Sequence, residues 1–291
     1  MNALRSSRAE PIVPRLRLWA ASWLQKTRLR REAVVHQSLN ENIYHCTVQK
    51  TASQWLLAIL SDPRIYRHCG LYIHRYEDGL PGRNDERTLT ERRFDKPFPA
   101  GTIASPLYCD YEGFFSIPKP LRYKAFFVTR DPRDILVSWY FSAKISHPLI
   151  GDLERVRNDL NRLSEEDGLL YSLEYLQKVG LFAAQRSWVD TEIRDESVLL
   201  LRYEDLIGSE SVAHFERLFQ HCDVRVPHQD LPGILASYGF EQRSGRQPGQ
   251  EDLTAHLRKG VPGDWRNHFT GNVSTQFEAV AGDLLGVWNY R

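Results

Sequence analysis

The chain has 291 residues, of which 42% are apolar, 26% charged and 11% aromatic. These fractions are typical of a globular protein, and they exclude collagen-like, coiled-coil and disordered classes. Thirty-eight basic and 37 acidic residues give a formal net charge of +1. Such a balance argues against a nucleic-acid partner, which would require a broadly basic surface, but it allows a local anion site.

The cysteines and the apolar runs indicate a cytoplasmic protein. The four cysteines are scattered and contain no C-x-x-C pair, so we expect neither a disulfide scaffold nor a zinc cluster. No apolar run approaches the roughly 18 residues that a membrane-spanning helix needs, and no secretory signal is recognised. We therefore expect a reducing, cytoplasmic environment.

Residues 1–35 form a basic N-terminal extension with eight basic and two acidic side chains, a net charge of +6. Apolar residues recur there at helical spacing, which predicts an amphipathic helix over residues 14–32. Such a helix could dock on an anionic membrane surface or on a partner protein. It could also pack on its own domain with a solvated basic face. Residues 36–291 are expected to form one domain.

After the extension, segments typical of strands alternate with segments typical of helices. A β-prone run at residues 43–48 leads into a polar loop and a helix that ends before Asp62-Pro63. Residues 74–99 are polar and contain several Gly and Pro residues, which predicts a long surface loop. Residues 102–105 are predicted to form a second strand.

The second half of the chain repeats this alternation. Its predicted elements are a strand at 124–129, a helix at 135–143, helices at 152–165 and 169–190, a strand at 197–201, and a Gly-containing loop at 258–264. Strands that alternate with helices imply crossover connections between parallel strands. The sequence therefore predicts an α/β fold with a single central parallel sheet flanked by helices.

The first strand–loop–helix is typical of a phosphate-binding site. Its loop would present free backbone N–H groups at the positive end of a helix dipole. Lys50 adds a full positive charge, and Thr51 and Ser53 add hydroxyl groups. The loop lacks the two glycines of a Walker A motif. On these residues alone, a capped helix with a surface lysine fits equally well.

Two further cationic segments point to a second anion site. Arg130 follows the apolar strand at 124–129, and Ser138 lies about two helical turns further on. Ligands of parallel sheets bind outside the carboxyl ends of the strands, so both side chains could reach an anion near Lys50. Arg258-Lys259-Gly260 adds two cations beside a glycine that allows close backbone approach.

Together these segments resemble the sulfotransferase superfamily that uses 3′-phosphoadenosine 5′-phosphosulfate (PAPS). The matching segments, in family order, are Lys50-Thr51-Ala52-Ser53-Gln54-Trp55, Phe127 through Tyr140, Leu201 through Leu206 with its Tyr203-Glu204-Asp205, and Arg258-Lys259-Gly260 followed by Gly263-Asp264-Trp265. The resemblance implies one α/β domain whose phosphate loop is related to that of nucleotide kinases. It also implies an enzyme that transfers a sulfuryl group to a hydroxyl or amine and releases adenosine 3′,5′-bisphosphate (PAP).

The resemblance also implies roles for the matching residues. Lys50, Thr51, Ala52, Ser53 and Gln54 would hold the 5′-phosphosulfate, with Lys50 neutralising the departing phosphate. The adenine would contact Trp55 and Tyr203, and the 3′-phosphate would contact Arg130, Ser138, Arg258, Lys259 and Gly260. No metal is expected to be required, since a lysine and backbone dipoles can stabilise the developing charge.

The catalytic base is the main departure from the family pattern. Small-molecule members carry a histidine in T-H-x-P, and Ala104 stands at that position here. Asp110, Glu112 and His74 are the candidates for a replacement base. The acceptor could be a small molecule or a glycan. A nucleotide or small-molecule kinase, or a non-catalytic PAPS-binding protein, remains an alternative on the sequence alone.

Overall fold

The computed structural model describes residues 33–80, 82, 84–189 and 195–290. Within them, five strands form one sheet in the order β2-β3-β1-β4-β5, and every adjacent pair is parallel. The strands are β1 (Asn42–Thr47), β2 (Tyr72–His74), β3 (Thr102–Tyr108), β4 (Tyr123–Thr129) and β5 (Val198–Arg202). The predicted α/β fold with a central parallel sheet is confirmed.

Helices flank this sheet and connect its strands. In chain order they are α1 (Ser53–Leu60), α2 (Pro63–Arg67), α3 (Tyr111–Phe115), α4 (Pro132–Phe141), α5 (Leu153–Leu160), α6 (Glu165–Lys178), α7 (Leu181–Ser187), α8 (Tyr203–Ile207), α9 (Ser211–His221), α10 (Leu231–Ala236), α11 (Phe240–Ser244), α12 (Gly271–Ala281) and α13 (Asp283–Val287). Short 3-10 turns lie at Tyr76–Gly79 and Asp264–Asn267, and a π-helical turn, Ser142–Ser146, continues α4. None of the helices in the described ranges is long and apolar enough to cross a membrane.

The sheet is buried on both faces. Side chains of β1 alternate, so that Tyr44 and Cys46 belong to the core on one face while Ile43 belongs to the core on the other. Every residue of β1 is buried. Parallel strands covered on both faces read as continuous apolar runs rather than alternating ones. The four cysteines are buried and free.

The order of the strands explains where a ligand site can form. From β1 the chain adds β2 and β3 on one side of the strand and then crosses over to add β4 and β5 on the other. The loop after β1 therefore lies where the winding direction reverses. Crevices of this kind, at the carboxyl ends of parallel strands, are the usual binding sites of open α/β sheets.

The segment at residues 74–99, in its described part, is packed against the core. The predicted surface loop at residues 74–99 is wrong in its described part, because Leu89, Phe94 and Phe98 are buried in the core. Arg92 is also buried there and donates hydrogen bonds to three backbone carbonyls. Irregular backbone can thus be packed when an arginine satisfies its carbonyls. The predicted helix at 14–32 lies outside the described residues.

Candidate active site

The loop between β1 and α1 forms a backbone cradle. Lys50 and Ala52 both adopt the left-handed conformation, with φ values of 69° and 61°, and Ala52 is the N-cap of α1. Within the described residues, no backbone carbonyl accepts a hydrogen bond from the N–H groups of residue 50 or residues 52–54. Free N–H groups in such a turn attract an anion, and the left-handed residues store about 1–2 kcal/mol each.

Two threonine side chains stabilise this loop through hydrogen bonds. The Thr51 hydroxyl donates to the carbonyl of Val48 over 2.9 Å and contacts the Thr47 hydroxyl. Thr47 in turn donates to Val128 on β4 over 2.8 Å. Because Thr51 is only 2% exposed, its side chain stabilises the loop.

The charge of Lys50 is not balanced by a carboxylate. Among the described residues it forms no ion pair, and the positive charges of Arg130 and Arg258 act on it from nearby. Burial and these two charges lower the pKa of Lys50 to about 8. Since Arg130 and Arg258 each lie beside a carboxylate, Lys50 is the cation of the three whose charge a bound anion would balance.

Arg130 links the cradle to the neighbouring strand end. It donates from Nη1 to the carbonyl of Lys50 over 3.2 Å, and its Nη2 lies 3.6 Å from Asp134. Its guanidinium also stacks over the ring of Tyr203 at 5.1 Å. The Nε of Arg130 is buried and has no partner in the part of the chain that the structure describes. An unsatisfied buried donor of this kind points to a missing ligand.

The two aromatic residues predicted to touch adenine lie in contact. The rings of Trp55 and Tyr203 are 6.2 Å apart and nearly perpendicular. Trp55 is fixed by an edge contact with Phe215 and by a 2.9 Å hydrogen bond from its Nε1 to the carbonyl of Tyr238. This arrangement leaves a rigid aromatic corner beside the cationic cluster.

In the loop at residues 258–265, the cations are paired. Arg258 and Lys259 both form ion pairs with Asp264, which is only 2% exposed at its side chain. Although burial raises the pKa of Asp264, hydrogen bonds from His268, Lys259, Asn267 and Arg258 hold it well below its usual range. The Asp264 carboxylate thus holds the side chains of Arg258 and Lys259 close together.

A buried carboxylate on α4 fastens this loop to the helix. Asp134 accepts hydrogen bonds from the backbone N–H groups of Gly263, over 2.6 Å, and Trp265, over 3.1 Å. Arg133 pairs with Asp131 over 2.7 Å and stacks on the Trp265 ring. The second and fourth motifs are therefore joined through Asp134.

Two other predicted contacts to the 3′-phosphate depend on backbone position. Gly260 has a φ of 71°, and a Cβ there would lie 2.2 Å from the Phe240 ring, so the close approach requires glycine. Ser138 is half-buried within α4, the helix whose Asp134 holds the same loop. Both residues thus belong to segments that meet beside Arg130.

The three predicted base candidates differ in their surroundings. Asp110 is buried and caps α3 by accepting from the N–H of Gly113 over 2.6 Å. Glu112 is 77% exposed and pairs with Arg93 over 3.1 Å. His74 ends the edge strand β2, where its ring packs against Phe98. Asp110 is held by its capping role, and the base assignment stays a prediction.

The sequence reasoning missed three polar residues close to the phosphate loop. Tyr108, at the end of β3, contacts Ser53 and Gln54. Burial lowers the pKa of both His147 and His256, and the charge of Lys50 lowers each further. Both histidines are therefore neutral near pH 7 and lie within the field of Lys50. No local sequence pattern marks them, because long-range packing brings them to the site.

One set of side chains has the composition of a metal site. Ligand atoms of Glu251, Asp264 and His268 lie within 4.8 Å of one another. Arg258 and Lys259 already pair with Asp264. A divalent cation would have to bind beside two positive side chains, so these residues are better suited to holding cations of the protein itself.

Comparisons with known proteins identify the family. The sulfotransferase domain profile matches residues 116–289, more than half of the chain. The chain is 26% identical over 257 residues to the 3-beta-hydroxysteroid sulfotransferase of Cavia porcellus, a match that covers 83% of this chain and 82% of that protein. It is 27% identical over 172 residues to human Sulfotransferase 2A1, covering 54% of each.

A solved structure shows the same fold. The crystal structure of mouse sulfotransferase SULT7A1 complexed with PAP superposes with a TM-score of 0.56 at 18% identity and covers 90% of both chains. The chain belongs to the sulfotransferase domain family. The fold, the enzyme class and the PAPS-dependent sulfuryl transfer predicted from the sequence are thereby confirmed.

Proposed function

We propose that this sulfotransferase binds PAPS across the two cationic loops and transfers its sulfuryl group to the hydroxyl of a small-molecule acceptor. The observation that carries the proposal is the convergence of Lys50, Arg130 and Arg258 beside free backbone N–H groups. A nucleotide with anionic groups at its 5′ and 3′ ends matches a site that has two separate donor clusters.

The 5′-phosphosulfate is assigned to the cradle formed by Lys50, Thr51, Ala52, Ser53 and Gln54. The adenine is assigned to the corner between Trp55 and Tyr203. The 3′-phosphate is assigned to Arg130, Ser138, Arg258, Lys259 and Gly260. The unpartnered Nε of Arg130 supports this last assignment, since a phosphate oxygen is the acceptor that a buried guanidinium best accommodates.

In the proposed reaction, an acceptor oxygen attacks sulfur while the bond from sulfur to the 5′-phosphate oxygen breaks. Negative charge builds on that phosphate oxygen, and the ammonium of Lys50 stabilises it more strongly in the transition state than in the intact donor. The acceptor hydroxyl loses its proton to a base. No metal is invoked, because the cationic cluster supplies the positive charge.

His147 is our choice for that base. Its Nδ1 donates to the carbonyl of Pro148 over 2.9 Å, which leaves Nε2 as the acceptor in the neutral ring. Its backbone is held by Ser142 and Arg157. A neutral imidazole with a fixed tautomer can accept a proton near pH 7. Asp110, Glu112 and His74 are the alternatives.

The names of the relatives support our proposal for the class of acceptor. The Cavia porcellus protein is named for 3-beta-hydroxysteroids, and we propose a small apolar alcohol for this chain. Leu149 and Leu253, which are 54% and 42% exposed, lie in the same loops as His147 and His256 and would suit an apolar acceptor. A cytoplasmic location is proposed as well, in keeping with four buried free thiols.

The proposed function is tested by PAPS turnover across pH with a panel of small alcohols. Because the pKa of His147 is lowered from 6.5, the acid limb of kcat/KM should lie below pH 6.5. His147→Gln should remove this limb and lower the rate about 10²–10⁴-fold, whereas His256→Gln should keep it. If the acid limb of the pH profile is still present in His147→Gln, another residue is the base. If the protein does not bind PAPS, the proposed function is wrong.

A further inference from the structure

Tyr108 lies at the end of β3, next to the phosphate loop. Its hydroxyl lies 2.8 Å from Oγ of Ser53, the first residue of α1. It also accepts a hydrogen bond from Nε2 of Gln54 over 3.4 Å. The backbone of Tyr108 is fixed, because its carbonyl accepts from Nη1 of Arg92 over 2.9 Å. The phenol is thus held between two consecutive residues of the loop.

One of these two hydrogen bonds has a fixed direction. The amide nitrogen of Gln54 can only donate, so it uses a lone pair of the Tyr108 oxygen. The contact between Tyr108 and Ser53 can run in either direction, because each hydroxyl can donate or accept. When the Ser53 hydroxyl gives its hydrogen to a bound anion, Tyr108 is placed to donate to Ser53 Oγ.

We propose that Gln54, Tyr108 and Ser53 form a hydrogen-bond chain in which, with nucleotide bound, Tyr108 donates to Ser53 and the Ser53 hydroxyl donates to the 5′-phosphosulfate. This inference rests on the proposed function. Tyr108 is then a positioning residue, since it acts on the nucleotide through Ser53. Each donor in the chain polarises the next, which strengthens the last bond to the anion.

The surroundings of Tyr108 suit this role. Burial raises the pKa of Tyr108, so the phenol keeps its hydrogen at neutral pH. The chain also assigns a role to Gln54, whose side-chain amide donates to the phenol. Tyr108 thus positions Ser53 from the neighbouring strand β3.

The test compares two nucleotides by calorimetry. PAP carries the 5′-phosphate, and adenosine 3′-phosphate lacks it. Tyr108→Phe should weaken PAP binding about tenfold, the effect of one hydrogen bond to a charged group, while adenosine 3′-phosphate binding changes less than about twofold. Ser53→Ala should have a similar effect. The double variant should bind PAP no more weakly than Ser53→Ala alone, because Tyr108 acts through Ser53.

The control is Tyr72→Phe, which removes a hydroxyl on β2 that accepts from Tyr66 and should leave both affinities unchanged. If Tyr108→Phe does not fold, Gln54→Leu replaces it and should weaken PAP selectively, though less. Unchanged PAP affinity, equal losses for both nucleotides, or additive losses in the double variant would overturn the chain. Failure of the wild-type enzyme to prefer PAP over adenosine 3′-phosphate would instead overturn the proposed function.

Discussion

The loop after β1 and the loop at 258–265 are both assigned to anionic groups of one nucleotide, yet their cations are held differently. Lys50 has no carboxylate partner in the described residues, and its loop presents free N–H groups. Arg258 and Lys259 are both paired with Asp264. The loop after β1 therefore has an unneutralised cation for an anionic ligand, whereas the cations of the loop at 258–265 are already neutralised by the Asp264 carboxylate.

This difference separates two tasks. A cradle with an unbalanced lysine gains most from charge that develops during the reaction. Arg258 and Lys259 are already neutralised by Asp264, so a phosphate adds less electrostatic stabilisation there. Their side chains are, however, held in place before the nucleotide binds. We therefore expect the first loop to govern turnover and the second to govern affinity and stability.

The largest effect is expected at Lys50. Lys50→Ala should lower turnover about 10²–10³-fold, as does the loss of one group that stabilises an oxyanion, while PAP affinity falls less. Lys50→Arg should restore only part of the rate, because a planar fork does not replace a compact ammonium. Single-turnover kinetics and calorimetry measure the two quantities. Lys124→Ala, remote from the loop, is the control, and unchanged turnover in Lys50→Ala would contradict the assignment.

The second prediction removes the internal anion. Asp264→Asn leaves Lys259 partly buried without its carboxylate and leaves Arg258 with Glu251 alone. We expect a loss of about 3 kcal/mol in the free energy of unfolding, the low end for buried pairs. PAP should restore more stability to this variant than to the wild type, because it supplies a replacement anion. Denaturant titrations with and without PAP measure both. Equal stabilisation of the two proteins by PAP would show that the loops do not differ in this way.

The same carboxylate predicts a pH dependence. The pKa of Asp264 is lower in the folded protein than in the unfolded chain. Its contribution to stability is therefore fully present above the unfolded pKa, near 4, and is lost as the pH falls below that value. Asp264→Asn should have a smaller loss of stability than the wild type between about pH 4 and pH 2.

The third prediction concerns the donor. PAPS should bind at least about tenfold more tightly than adenosine 5′-phosphosulfate, which lacks the 3′-phosphate. Arg258→Ala should reduce this preference, and Arg122→Ala, a surface variant, should keep it. Competition against PAP gives both affinities. A preference that survives in Arg258→Ala would move the 3′-phosphate away from this loop.

The smallest effect tests the strain in the first loop. Ala52 is left-handed, so Ala52→Gly should raise the free energy of unfolding by up to about 1 kcal/mol, after the greater freedom of glycine in the unfolded chain is subtracted. Ala58→Gly, within α1, should lower stability by about 0.5–1 kcal/mol. Thermal unfolding distinguishes them. Destabilisation by Ala52→Gly would mean that the cradle stores no strain at this position.

The parts of this site that could be predicted are local in sequence. Lys50 and the five residues after it form a pattern that predicts a phosphate-binding loop. The alternation of strands and helices predicts the sheet that carries this loop. The contacts missing from the prediction join distant segments. Tyr108 and Ser53 are 55 positions apart, and Asp134 and Gly263 are 129 apart. No pattern within a single window carries such information.

The pairing of Asp264 could not be predicted for a related reason. The sequence shows Asp264 only as part of a Gly-Asp-Trp tail, and its pairing with Arg258 and Lys259 depends on how the loop turns at Gly260 and Gly263. Charged residues near one another in sequence pair only when the backbone brings their ends together. The structure was needed to show that the two cations share one carboxylate.

The central position of β1 has a consequence for biosynthesis. Thr47 at the end of β1 donates its hydrogen bond to Val128, 81 positions later in the chain, and β1 also pairs along its length with β3 and β4. The strand that precedes the phosphate loop therefore leaves the ribosome before β4 and cannot complete its pairing until β4 has emerged. Long-range parallel pairing of this kind is slow to form. Until β4 has been synthesised, the apolar side chains of β1 are exposed on a strand edge that lacks its partner, which favours aggregation of the nascent chain.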